Sequence, residues 1–204
     1  VDPPHALKKV ESSLDHQILQ YDGIPMSKGM LFSVYEAMNA HSGEGSLMAN
    51  PKLKDGDFKG TQWTAMNVGP VARVLSGTMV KMIDEVCNNP KTYPMPETCP
   101  TGTDRVTLFS KVRQLCKHMN RWFDICNGKD TFNPFAKASK KSGPGYSDEL
   151  LEILAWFCDW DTSLRSQPGE YQKTCFLTVD AFRSLKSVCY GFASIIYEFC
   201  ERQD

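Results

Sequence analysis

Histidine is scarce and scattered in this chain: four occur in 204 residues, His5, His16, His41 and His118. No spacing among them builds a metal site or a catalytic triad. The phosphate-cradling loops G-x-x-x-x-G-K-[ST] and G-x-G-x-x-G are missing. A global excess of positive charge is missing too. With 23 Lys and Arg against 24 Asp and Glu the net charge is -1, so any nucleic-acid contact has to come from a local patch. No apolar run approaches the ~18 residues that a membrane-spanning helix needs. The opening "VDPPHALKK" has no apolar signal core and reads as the middle of a motif, as expected for an excised piece of a longer protein. Cysteine is plentiful, eight residues, but metal-binding spacing is not: there is no C-x-x-C and no Cys–His pair at finger spacing. Cys158, Cys189 and Cys200 sit inside apolar helical patterns. Reduced, mostly buried thiols of an intracellular protein are the expectation.

Apolar residues, 41% of the chain, are enough for a real core. They recur at spacings of three and four rather than two, so helices are expected and no strand stands out. "PPHALKKVESSLDHQIL" reads as a first helix, with prolines in its first turn and a stripe of Leu7, Val10, Leu14 and Ile18. "YDGIPM" breaks it. "SKGMLFSVYEAMNAH" follows, with Ser27 as N-cap. "TQWTAMNVGPVARVLSGTMVKMIDEVC" is one long pattern that Gly69-Pro70 should kink or split. The proline-rich 88–103 is a surface loop. "DRVTLFSKVRQLCKHMNRWFDICNG" is a strong helix with Val106, Phe109, Val112 and Met119 on its stripe and Gly128 as its stop. Helices beginning near Ser147 and after Thr178 complete the chain. The fold class expected is all-α, a single irregular domain of about seven helices.

Two stretches could carry chemistry. "FCDWD" brings Asp159 and Asp161 close in sequence, but carboxylates two apart on a helix point apart, so solvated charges are expected. In "NRWFD", Asn120 lies three residues before Phe123 and four before Asp124, so an amide, a ring and a carboxylate share one helix face. Taken alone, Phe123 reads as core and Asp124 as a solvated charge. The other reading is a site for something flat and hydrogen-bonding. Trp122 projects roughly 100° away from Phe123, so the two rings would not serve one ligand.

"DPPHALKK", "NPKLKDGDF", "MNVGPVARVLS", "NRWFDICN" and "CFLTVDAFRSLKSVCYGF" follow in that order over nearly the whole chain. This series resembles the helical insertion domain of P-element-type transposases and their THAP-domain relatives. That family carries a "DPPHLLK"-like junction, "PKL", an "MRVKxAxQVLS"-like helix, an "F-D-x-x-N" segment and "FLT". The resemblance implies an insertion into an RNase-H-like catalytic fold: residues 1–20 would be a junction helix with that core and 21–204 a helical GTP-binding domain. It implies GTP, with Mg2+ as a candidate companion, as a non-hydrolysed cofactor for assembling transposase with transposon DNA ends, in a nuclear protein with no membrane partner. The matching motifs place Lys52, Val68, Asn120, Phe123 and Asp124 at the nucleotide. A carboxylate accepts both guanine N1–H and the exocyclic N2–H, an asparagine amide can donate to O6 or N7, a ring can stack, and lysine suits phosphate as a point charge.

The chain departs from the family at three places. Glu11-Ser12-Ser13 stand where the family has "RNNL", Gly69-Pro70 replace ordinary helix formers, and 88–103 looks like an insertion. The family's catalytic acids have no counterpart in this chain, so no catalysis is expected of it alone, although the parent could be a transposase. The alternative is a domesticated or structural module that has lost nucleotide binding and docks on the catalytic domain or on DNA, the latter through Lys137, Lys140 and Lys141.

Overall fold

The computed structural model describes residues 2–41, 53–59, 67–94, 104–127, 145–166 and 175–198. Among them the fold is all-α apart from one small hairpin. The elements in chain order are α1 (Pro3–His16), β1 (Leu19–Tyr21), β2 (Ile24–Met26), α2 (Lys28–His41), α3 (Asp55–Phe58), α4 (Val68–Val74), α5 (Gly77–Asn88), α6 (Arg105–Asn127), α7 (Tyr146–Ser166) and α8 (Val179–Ile196). Seven of these helices have seven residues or more; α3 is a single four-residue turn.

The start signals act as expected at several ends. Pro3 and Pro4 occupy the first turn of α1, where a missing N–H costs nothing. Ser27 Oγ accepts from Met30 N–H at 3.3 Å, and Thr178 Oγ1 accepts from Ala181 N–H at 3.2 Å. Four expectations are corrected. The stretch after α1 is not merely a break: Leu19 pairs with Met26 and Tyr21 with Ile24 in an antiparallel hairpin. Its turn is Asp22-Gly23, both at positive φ (51° and 75°), the geometry Asp-Gly favours. Ile18 consequently leaves the helix and its stripe, 63% exposed. Val106 also lies off the buried face, 55% exposed, one turn before Phe109 enters the core.

The long helical pattern divides into α4 and α5, but at Leu75–Ser76 rather than at Gly69-Pro70. Pro70 falls in the first turn of α4, where the lost donor has no intrahelical partner to lose. Ser76 starts the new helix by accepting from Met79 N–H at 3.3 Å.

α6 is the central element. Phe109, Val112, Leu115, Met119 and Trp122 are fully buried along it, and it packs on α1, α4, α5, α7 and β2. α7 and α8 pair closely, and α1 closes the bundle against α8, α4 and α2. Polar ties fix these contacts. Lys9 Nζ donates to Ser184 Oγ at 3.1 Å, Trp160 Nε1 donates to the Gln20 carbonyl at 2.6 Å, and the buried Lys28 ammonium pairs with Glu11. Glu11 and, at 3.6 Å, Asp15 of α1 thus both hold Lys28 of α2.

Six cysteines lie among the described residues and all are free thiols. Burial pushes the Cys116 and Cys189 thiols up to about 12, so they are inert packing groups. No described helix is long and apolar enough to cross a membrane.

Candidate functional site

A cavity of about 590 Å³ opens where α4, the start of α5 and the last turns of α6 converge over Leu7 of α1. Four of the five residues singled out in the sequence line it or stand in its wall: Val68 from α4, and Asn120, Phe123 and Asp124 from α6. The fifth, Lys52, lies outside the described residues, as do Lys137, Lys140 and Lys141; Leu53, next to Lys52, is buried and lines the cavity. Trp122 is fully buried in the core and takes no part in the lining. Phe123 is 7% exposed and yet reaches the cavity, so it is both core and wall.

The α6 face is ordered by hydrogen bonds. Asn120 Oδ1 accepts from Gly77 N–H at 2.8 Å, and Asn120 Nδ2 donates to Asp124 Oδ2 at 3.0 Å. Gly77 is the first residue of α5, so this bond satisfies one of the donors that a helix start leaves without an intrahelical acceptor. Asn127, one turn beyond Phe123, also faces the cavity.

The facing wall is cationic. Arg73 and Lys81 line it, together with Ser76 and Thr78 of the α5 start. Arg73 is held from behind: its Nε and Nη2 donate to Asp57 Oδ2 at 2.9 Å and Oδ1 at 2.5 Å. Asp57 also accepts from Lys54 N–H at 3.0 Å, which closes the turn of α3. Burial would raise the Asp57 pKa, but the Arg73 and Lys54 hydrogen bonds and the Arg73 charge outweigh it and hold the carboxyl below its usual range. The Asp57–Arg73 pair therefore fastens the segment 53–59, Leu53 included, to α4.

Gly69 fits this arrangement. A Cβ there would meet Asn67 Oδ1 at 3.2 Å and Arg73 Nη1 at 3.3 Å. Asn67 needs that space to cap α4, its Oδ1 accepting from Gly69 N–H at 2.9 Å. Gly69 thus leaves room for a cap and a guanidinium within α4.

Arg73, Ser76, Gly77, Thr78, Lys81 and Asn127 did not stand out in the sequence. The one legible signal was Ser76-Gly77, a cap-and-start pair hidden inside a continuous apolar pattern. Among the described residues no group of three His, Cys, Asp or Glu side chains is placed to hold a metal ion.

No protein-family description matches this chain, and no curated protein matches it. Among solved structures it is similar to the Drosophila P element transposase strand transfer complex, at 16% identity and a TM-score of 0.57. The match covers 98% of this chain and 41% of that one, so the likeness is one of fold, to a part of a larger transposase chain.

Proposed function

We propose that this chain is a guanine-nucleotide-binding helical insertion domain of a P-element-like DNA transposase, with GTP as a cofactor that is bound and not hydrolysed. The observation that carries the reading is the convergence of Val68, Asn120, Phe123 and Asp124 on one cavity from two separate helices. Its volume, about 590 Å³, lies within the range of small-molecule sites. The chemistry matches the two ends of the ligand. The Asp124 carboxylate suits the N1–H and N2–H edge of guanine, which adenine lacks, and the Phe123 ring offers an apolar wall. Lys81 and the start of the twelve-residue α5, beside the Asp57-paired Arg73, supply positive potential for phosphates. The solved transposase of like fold supports a role in transposition, with transposon DNA ends and an RNase-H-like catalytic domain as partners of the parent protein.

Isothermal titration of the 204-residue chain with GTP, GDP and ATP tests this. Saturable binding of GTP and GDP, at least tenfold tighter than ATP, is expected. No guanine-nucleotide binding at millimolar concentration by folded protein would sink it. The second reading, a docking module without nucleotide, draws on the apolar side chains exposed along α8 and at its C-cap: Val179, Tyr190, Ile195 and Tyr197.

A further inference from the structure

The amide of Asn120 has a definite orientation because its two neighbours are of opposite kind. Gly77 N–H can only donate, and the Asp124 carboxylate accepts. Turning the amide over would set Nδ2 against an N–H and Oδ1 against a carboxylate, so the partners fix which end is oxygen. Its carbonyl oxygen and one amide hydrogen are thus engaged inside the protein, across a sequence separation of 43 residues on one side and one helical turn on the other.

We infer that Asn120 is a positioning residue: it braces the first turn of α5 against the Asp124 carboxylate instead of reading a base itself. The inference rests on the nucleotide reading of the cavity, but the brace is a property of the chain alone. Asp124 and Asn120 lie on the same face of α6 four residues apart, so the amide meets the carboxylate from the preceding turn and restricts its rotamer. The two walls of the cavity are thereby coupled. The α6 wall bears the carboxylate, the α5 wall bears Thr78 and Lys81, and one amide is hydrogen-bonded to both elements.

Two variants separate the halves of the brace. Asn120→Asp keeps an acceptor for Gly77 N–H but loses the donor to Asp124, whereas Asn120→Ala loses both. Amide hydrogen exchange read by NMR should show Gly77 protected in the wild type and in Asn120→Asp, and exchanging at least tenfold faster in Asn120→Ala. GDP affinity should fall about tenfold or more in both variants. The extra weakening seen with 7-deaza-GDP or 6-thio-GDP should stay the same as in the wild type, and Asn120→Ala should cost less in an Asp124→Ala background than in the wild type, the remainder being the released α5 turn. Unchanged Gly77 protection in Asn120→Ala would overturn the brace. Loss of the 7-deaza or 6-thio penalty would overturn it in favour of direct base reading. If the wild-type chain bound no guanine nucleotide, the functional proposal would fail, and Gly77 exchange would still decide the role of Asn120.

Discussion

Cutting the Asp57–Arg73 pair should cost the fold more from one side than from the other. The Asp57 side chain is 4% exposed and accepts three hydrogen bonds, two from Arg73 and one from Lys54 N–H. The Arg73 side chain is 38% exposed. Removing one partner of a buried ion pair typically costs ~3–5 kcal/mol, and contact with solvent on the arginine side brings this pair toward or below the lower end. Asp57→Ala leaves a guanidinium that can turn to water and orphans one N–H, for about 2 kcal/mol. Arg73→Ala strands a nearly buried carboxylate, for about 3 kcal/mol at neutral pH. The double variant should cost less than the sum, with a coupling of ~1.5–2 kcal/mol. The Asp57 pKa is held low in the folded state, so the pair's contribution is full above the ordinary carboxylate pKa and fades as pH falls through the lowered value. Urea denaturation followed by tryptophan fluorescence at pH 7 and pH 3 measures all of this. Additive single costs below ~0.5 kcal/mol, or a penalty that grows in acid, would refute the reasoning.

Trp122 and Trp160 are both fully buried, but the Trp160 indole donates to the Gln20 carbonyl, whereas Trp122 Nε1–H meets no acceptor in good geometry among the described residues and has the weakly accepting Cys189 thiol beside it. Trp160→Phe should therefore destabilise by ~1–2 kcal/mol more than Trp122→Phe in chemical denaturation, since it orphans a carbonyl. Burial, with Lys117 nearby, lowers the His118 pKa to about 4, so the native state favours the neutral ring. The unfolded chain binds that proton from about pH 6.5 downward, and stability should drop between pH 6.5 and 4 by an amount that His118→Gln removes. For a half-buried ring beside Trp156 the loss is on the order of 1–2 kcal/mol after solvent screening. Asp124→Asn should shift the nucleotide preference from guanine toward xanthine, because an amide donates where xanthine presents a carbonyl; an unchanged guanine preference by titration would count against Asp124 as the reading group.

Much of the helical fold was legible because burial has a period. Leu7, Val10 and Leu14 on α1 and Phe109, Val112 and Met119 on α6 all face the core. The hairpin escaped notice because three-residue strands are too short to show alternation, although Asp22-Gly23 stated the turn. The break between α4 and α5 was displaced because Gly69 and Pro70 look like stronger breakers than Ser76. Their position in the first turn of α4, where neither harms a helix, depends on where that helix begins. The α6 half of the cavity was visible as spacing within one helix. Of its α4 and α5 half only Val68 was singled out, because Arg73 and Lys81 owe their places to tertiary contacts, the pairing with Asp57 and the packing of α5 on α6.

Guanine selection by this cavity is what the proposed function requires. The direct measurement is a calorimetric titration of the 204-residue chain with GTP and ATP side by side, repeated on Asp124→Ala. Saturable GTP binding, at least tenfold weaker ATP binding, and loss of that difference in the variant with the fold intact are expected. Equal affinity for both nucleotides, or a preference that survives Asp124→Ala, would contradict the proposed function.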